Sequence, residues 1–236
     1  GSVPAEPPAY RVLARKYRPS SFEDLIGQDA MVRTISNAFE SGRIPQAWIL
    51  TGVRGVGKTT TARILARALN YELPDGSVKE PTIHMPVMGV HDQAIIDSRH
   101  PDVLEMDAAS HTGVDDAGVE LMYRSPVDIY VDEWVYELLE TVEQTGARRV
   151  LIDSLTDLQL ASADSVRFRE YMYSLVQRLA RQGVGVFMTS ELPNLFETTH
   201  LSEYGVSHLA DNIVLLQYIR EQSSVRRALT VLKTRA

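Results

Sequence analysis

"GVRGVGKTT", residues 52–60, fits the pattern G-x-x-x-x-G-K-[ST], and its reading decides the fold. Gly52, Gly55 and Gly57 allow a tight backbone path whose amide N–H groups turn inward to cradle phosphate. Val53, Arg54 and Val56 occupy the variable positions of that path. The helix that follows adds the partial positive charge of its N-terminus. Lys58 is expected on the β- and γ-phosphates, the Thr59 hydroxyl on Mg²⁺, and Thr60 in the first helical turn. With glycine near 7% of residues, the four fixed positions match by accident in roughly one chain of this length in a hundred. The surroundings lower that chance. "QAWILTG" (46–52) is a short apolar run ending in glycine, as in a buried strand. "KTTTARILARALN" (58–70) sets Ile64, Leu65, Ala68 and Leu69 at helical spacing. A strand, a glycine loop and a helix in that order predict a site for ATP or ADP with Mg²⁺.

Outward from the loop, strand and helix patterns alternate. Ser20 or Ser21 can cap a helix whose apolar residues run from Met31 to Phe39. Residues 71–101 lack a clean period and read as a long connection, with a short helix near "HDQAIID" (91–97). "DVLEMDAAS" (102–110) reads as a strand and "VELMYRS" (119–125) as another short one. "YVDEWVYELLETVEQTG" (130–146) reads as a helix stopped at Gly146. "RRVLIDSL" (148–155) is a buried strand ending in Asp153, "SVRFREYMYSLVQRLARQG" (165–183) an amphipathic helix and "VGVFMTSE" (184–191) a strand. Two more strands fall within 208–219 and 226–235. This alternation predicts an α/β domain with a mostly parallel sheet covered on both faces. Ligands of such sheets sit at the carboxyl ends of the strands, so the loop, Asp107, Asp153 and Ser190 are expected on one rim.

Magnesium needs a second oxygen anchor, and Asp153 at the end of "VLID" supplies one. The same aspartate could instead cap the element that follows. Hydrolysis needs a group that orients water. Glu105 and Asp107 alternate onto one side of their strand, and Asp107, at its end, is the stronger candidate; a loop cap is the competing role. Glu191 is a further possibility. Ser190 either senses the γ-phosphate or satisfies a turn.

Composition narrows the class. The 236 residues carry a net charge of −7, which argues against nucleic acid as a partner. The basic stretches at 11–19 and 225–236 are either solvated or meet phosphates. No apolar run has the length of a membrane span. The polar, proline-rich "GSVPAEPPAY" has no secretory pattern, and Gly1-Ser2 reads as a scar of tag removal. There are no cysteines, hence no disulfides and no thiolate metal site, which suits the cytoplasm. The six histidines lack zinc-like spacing and read as surface or loop residues.

Two resemblances divide the chain. "YRVLARKYRPSSFEDLIGQDAMV" (10–32), "LTGVRGVGKTTTARILARALNY" (50–71) and "DVLEMDAASHTGVDD" (102–116) closely resemble the bacterial DNA polymerase III gamma/tau clamp-loader family. That resemblance implies an AAA+ nucleotide fold, with Tyr17, Arg18, Pro19, Ile26 and Gly27 near the adenine and ribose. It stops near residue 116. Ser154 stands where that family has its catalytic Glu, and the arginine-finger motif, the helical lid and the zinc-binding cysteines have no counterpart. "YRSPVDIYVDEWVYELLE" (123–140), "ARRVLIDSL" (147–155), "FMTSE" (187–191), "LADNIVLLQY" (209–218) and "ALTVLKTR" (228–235) resemble the RecA-like KaiC/RadA ATPases. This second resemblance implies that Asp153 serves magnesium. It also implies that Lys233 and Arg235 reach a neighbouring subunit's γ-phosphate in a homo-oligomer. Both families share a core strand order of 5-1-4-3-2 in a three-layer sandwich. The expectation is a chimera, one domain over 3–236 built from halves 10–116 and 118–236. Three functions follow: a slow ATP·Mg hydrolase, a nucleotide-holding scaffold without turnover, or a clamp-loader-type ATPase of DNA replication.

Overall fold

The apolar run before the glycine loop is strand β1 (Ala47–Gly52), buried along its whole length. The computed structural model describes residues 29–107, 130–192, 207–221 and 224–234; for 29–34, 107, 221, 224–226 and 234 it describes the backbone alone. The other strands are β2 (Val103–Asp107), β3 (Arg149–Asp153), β4 (Gly185–Glu191), β5 (Asn212–Glu221) and β6 (Ser224–Thr234). They form one sheet in the order β2-β3-β4-β1-β5-β6. The first five are parallel to their neighbours, and β6 is antiparallel to β5. Read from the other edge, this is the expected 5-1-4-3-2 core with β6 added beyond β5. The short strand expected at 119–125 lies outside the described residues.

Six helices accompany the sheet among the described residues: α1 (Asp29–Glu40), α2 (Lys58–Leu69), α3 (Asp92–Ile96), α4 (Val131–Thr145), α5 (Leu155–Ala161) and α6 (Ser165–Arg181). Strand side chains alternate between faces, so β1 divides its apolar residues between two cores. Trp48 and Leu50 join Leu151, Phe187 and Val214 under Ile35 and Phe39 of α1 and Ile64 and Leu65 of α2. Ile49 joins Val150, Ile152, Val186 and Met188 against Leu138 of α4 and Phe168, Met172 and Leu175 of α6. Each fully buried side chain of this size contributes about 1.5–3 kcal/mol. The result is the three-layer sandwich.

Helix ends follow local chemistry. The Asp164 carboxylate accepts the Val166 and Arg167 N–H groups at 2.9 and 3.1 Å, which starts α6. Gly146, at φ 66°, stops α4 and donates to the Val142 carbonyl at 2.9 Å. Helix α5 was not expected from the sequence; it takes up the chain directly after β3, and Ser154 is its cap.

The long connection after α2 is held by buried polar contacts. Arg67 of α2 pairs with Asp92 of α3 at 2.7 Å, with side chains 3% and 0% exposed. Asp92 also accepts the Gly89 N–H at 2.9 Å, and the Tyr71 hydroxyl donates to the Val87 carbonyl at 2.8 Å. Of the surface and loop roles expected for the histidines, His100 takes the loop one: it is buried there, and its Nε2 lies 2.9 Å from His91 Nδ1.

Candidate functional site

The glycine loop joins the carboxyl end of β1 to the start of α2 through glycines at φ 155° (Gly52), 78° (Gly55) and 102° (Gly57). The first helical bond of α2 runs from the Thr61 N–H to the Gly57 carbonyl at 2.9 Å. The amides of Lys58, Thr59 and Thr60, ahead of it, therefore have no acceptor within the helix and are available to an anion. Lys58 is 7% exposed, and its ammonium folds over the loop to donate to the Gly52 and Val53 carbonyls, both at 3.0 Å. Burial lowers its pKa from the ordinary lysine value, while the carboxylates of Glu191 and Asp153 oppose that shift.

The rim carries the expected strand ends. Asp107 and Asp153 are register partners at the ends of β2 and β3, and Gly52 is the partner of Glu191 across β1 and β4. The Asp107 side chain lies outside the described residues. Asp153 is oriented by two hydroxyls. Thr59 Oγ1 donates to Asp153 Oδ2 at 2.6 Å, and Thr189 Oγ1 donates to Asp153 Oδ1. A hydroxyl and a carboxylate beside a phosphate cradle are hard oxygen donors. Together with phosphate and water oxygens they suit Mg²⁺, which needs only one or two protein anchors. Among the described residues, no group of three or more His, Asp or Glu side chains is placed to hold a metal ion.

Other groups acquire definite roles. Glu105 is tied down: it takes a two-pronged ion pair from Arg63, with Arg63 Nε at 3.0 Å, and accepts the Ser98 hydroxyl at 2.8 Å. Ser154 accepts the Asp157 N–H at 3.2 Å and donates to the Asp157 carboxylate, as the cap of α5. The cap considered for Asp153 thus falls to its neighbour. Ser190 is nearly buried, its Oγ 3.5 Å from Thr156 Oγ1, and Thr156 accepts the Glu191 N–H at 2.9 Å. Lys233 donates to the Ser207 and Ala210 carbonyls, the latter at 2.9 Å, so its ammonium is engaged within its own chain. Tyr17, Arg18, Pro19, Ile26, Gly27 and Arg235 lie outside the described residues.

Two further residues, not distinguished by any local sequence pattern, border the glycine loop. The Tyr218 hydroxyl of β5 donates to the Gly55 carbonyl at 3.1 Å. Arg227 of β6 approaches the loop so closely that a Cβ on Gly57 would lie 2.8 Å from its guanidinium. The β5–β6 hairpin therefore leans over the glycine loop. The available signal was Arg227 in a stretch of alternating strand residues; the missing knowledge was the antiparallel register of Tyr218 with Arg227.

Comparison with known proteins agrees with this architecture. DNA polymerase III subunit gamma of Buchnera aphidicola subsp. Acyrthosiphon pisum is 29% identical over 95% of this chain and 61% of its own length. DNA polymerase III subunit tau of Escherichia coli K12 is 43% identical over 46% of this chain and 16% of its own length. The chain thus spans about three fifths or less of these relatives. A KaiC-like protein of Pyrococcus horikoshii OT3 superposes with a TM-score of 0.51 at 16% identity, covering 80% of both chains, and so shares the fold. The family model for the KaiC ATPases matches residues 85–236, from about the middle of the connection through β6. With a glycine loop on β1, Asp153 on β3 and this strand order, the chain belongs to the KaiC family of ATPases.

Proposed function

We propose that this chain binds ATP with Mg²⁺ at residues 52–60 and hydrolyses it slowly. The observation that carries the proposal is the 2.6 Å link between Thr59 and Asp153, which joins the phosphate loop to the end of β3 beside the buried Lys58. Gly52, Val53, Arg54, Gly55, Val56 and Gly57 form the cradle, Lys58 meets the β- and γ-phosphates, and Thr59 and Asp153 hold the magnesium. A bound magnesium would neutralise phosphate charge. Ser190 and Glu191 stand on the adjacent strand end, where a terminal phosphate would lie. Tyr218 and Arg227 close the cradle from the hairpin side.

Slow turnover follows from the roles already assigned. Ser154 is occupied as a cap, and Glu105 is held by Arg63 and Ser98. Asp107 is the preferred group to orient the attacking water, with Glu191 at the end of β4 the alternative. Aspartate reaches one methylene less far than glutamate, and misplacement by about 1 Å can cost on the order of 100-fold. Lys233 would have to leave two carbonyls before serving a neighbouring subunit in an oligomer.

The chimera and the single domain 3–236 belong to the same proposal. In the sheet, β1 lies between β4 and β5, and β2 pairs with β3 at the edge of the described sheet. The strands of the first half are therefore separated from each other by strands of the second. A steady-state phosphate-release assay tests turnover. The expected result is a slow rate above the blank, reduced further in Asp107→Asn. A rate matching a fully assembled ring ATPase contradicts slow hydrolysis. Intact nucleotide binding with no release marks the nucleotide-holding scaffold instead.

A further inference from the structure

We propose that Thr189 is a positioning residue for Asp153, selecting which carboxylate oxygen faces the phosphate loop. This rests on the reading of Asp153 as the magnesium carboxylate. A terminal aspartate rotates readily about its last side-chain bond, so its two oxygens exchange places unless something distinguishes them. Here each oxygen has its own donor. Thr59, at the start of α2, donates to Oδ2, and Thr189, on β4, donates to Oδ1 from the opposite side.

The placement of Thr189 is dictated by the sheet. Parallel pairing of β3 with β4 aligns Ile152 with Met188, so the next residues, Asp153 and Thr189, are brought side by side at the rim. Thr189 is fully buried. A buried hydroxyl with a carboxylate in reach has no water to exchange for it, and leaving either group unpaired is costly. The bond to Oδ1 is therefore persistent, and it leaves Oδ2 turned toward Thr59 and the cradle. The next residue, Ser190, makes its contact with Thr156 instead and does not share this task. A bond outside the metal's own ligands that fixes a ligating carboxylate typically changes metal affinity when removed.

The test compares Thr189→Val, which keeps the branched shape without the hydroxyl, with Thr189→Ser, which keeps the hydroxyl. Each is saturated with ADP, and Mn²⁺ binding is followed by electron paramagnetic resonance. ADP affinity in the presence of a chelator serves as the check on the folded cradle. The expected result is about a 10-fold loss of Mn²⁺ affinity in Thr189→Val, near the lower end for such second-layer contacts, with Ser restoring most of it. Metal-free ADP affinity should stay unchanged in both. Asp153→Asn, measured alongside, separates the two layers of the argument. If it lowers Mn²⁺ affinity while Thr189→Val does not, the positioning role is wrong. If Asp153→Asn itself leaves Mn²⁺ affinity unchanged, the reading of Asp153 fails and the role of Thr189 with it. If Thr189→Val loses metal-free ADP binding, Thr189→Ala takes its place under the same criterion; equal loss of metal-free and metal-dependent binding there, or no rescue by Ser, overturns the proposal.

Discussion

Gly52→Ala should destabilise the fold far more than Gly55→Ala, although both glycines belong to the same loop. At Gly52 an added Cβ would lie 2.3 Å from the Leu216 carbonyl oxygen of β5 and 3.0 Å from Val56 Cγ1. Unstrained carbon contacts are roughly 3.5 Å or longer, so β1 and β5 must separate by about 1 Å or the loop must shift. Overpacking costs about 1–3 kcal/mol, and a non-glycine residue forced to a positive φ of 155° costs a comparable amount. The combined loss centres near about 4 kcal/mol, or roughly 8–16 °C in Tm for a domain of this size. At Gly55 the added Cβ meets nothing within 4 Å, and only the φ of 78° matters. That costs about 1–2 kcal/mol, roughly 2–8 °C. Differential scanning calorimetry without nucleotide measures both, because it isolates packing from phosphate binding. Equal shifts for the two variants, or a smaller shift at Gly52, would refute the close β1–β5 approach from which the difference is derived.

Asp92→Ala removes one member of a buried ion pair and an acceptor for Gly89, and should cost about 3–5 kcal/mol in chemical denaturation, with the connection after α2 the first region to lose hydrogen-exchange protection. Acid stability should depend on the α6 cap: the Arg167 and Val166 N–H groups hold the Asp164 pKa below the ordinary value of 3.8. Its contribution is thus present above that ordinary value and lost as pH falls through the lowered one, so Asp164→Ala should flatten the acid limb of the stability profile. Unfolding should be a single transition in near- and far-UV circular dichroism, because β1 is paired on both sides by strands of the second half; a stable isolated fragment 118–236 would argue against one domain.

Much of this was legible from local pattern. The glycine loop, β1, β3, β4, α2, α4 and α6 carry strong apolar periods and local stop signals, such as Gly146 at the end of α4. Asp153 could be placed at a strand end because the three apolar residues Val150, Leu151 and Ile152 lead up to it. Helix α5 was missed because "SLTDLQLA" is short and directly continues an apolar strand, and Ser154 reveals itself as a cap only through Asp157. The partners of Arg67, Glu105 and Thr189 are brought to them across the fold from distant positions in the chain, so no local window contains them. The bond from Thr189 to Asp153 follows from strand register, which is not readable from one strand alone. The lean of the β5–β6 hairpin over the glycine loop is likewise a matter of sheet order, which places β5 next to β1.

The central claim is that residues 52–60 hold a nucleotide's phosphates with Lys58 in the cradle. Isothermal titration calorimetry of ADP into the wild type and Lys58→Ala, with magnesium present, tests it most directly. Loss of one charge-assisted phosphate contact should weaken binding by about 1.5–3 kcal/mol, roughly 10- to 150-fold. Equal affinity of the two proteins for ADP, or no heat of binding in the wild type at any accessible concentration, would contradict the claim.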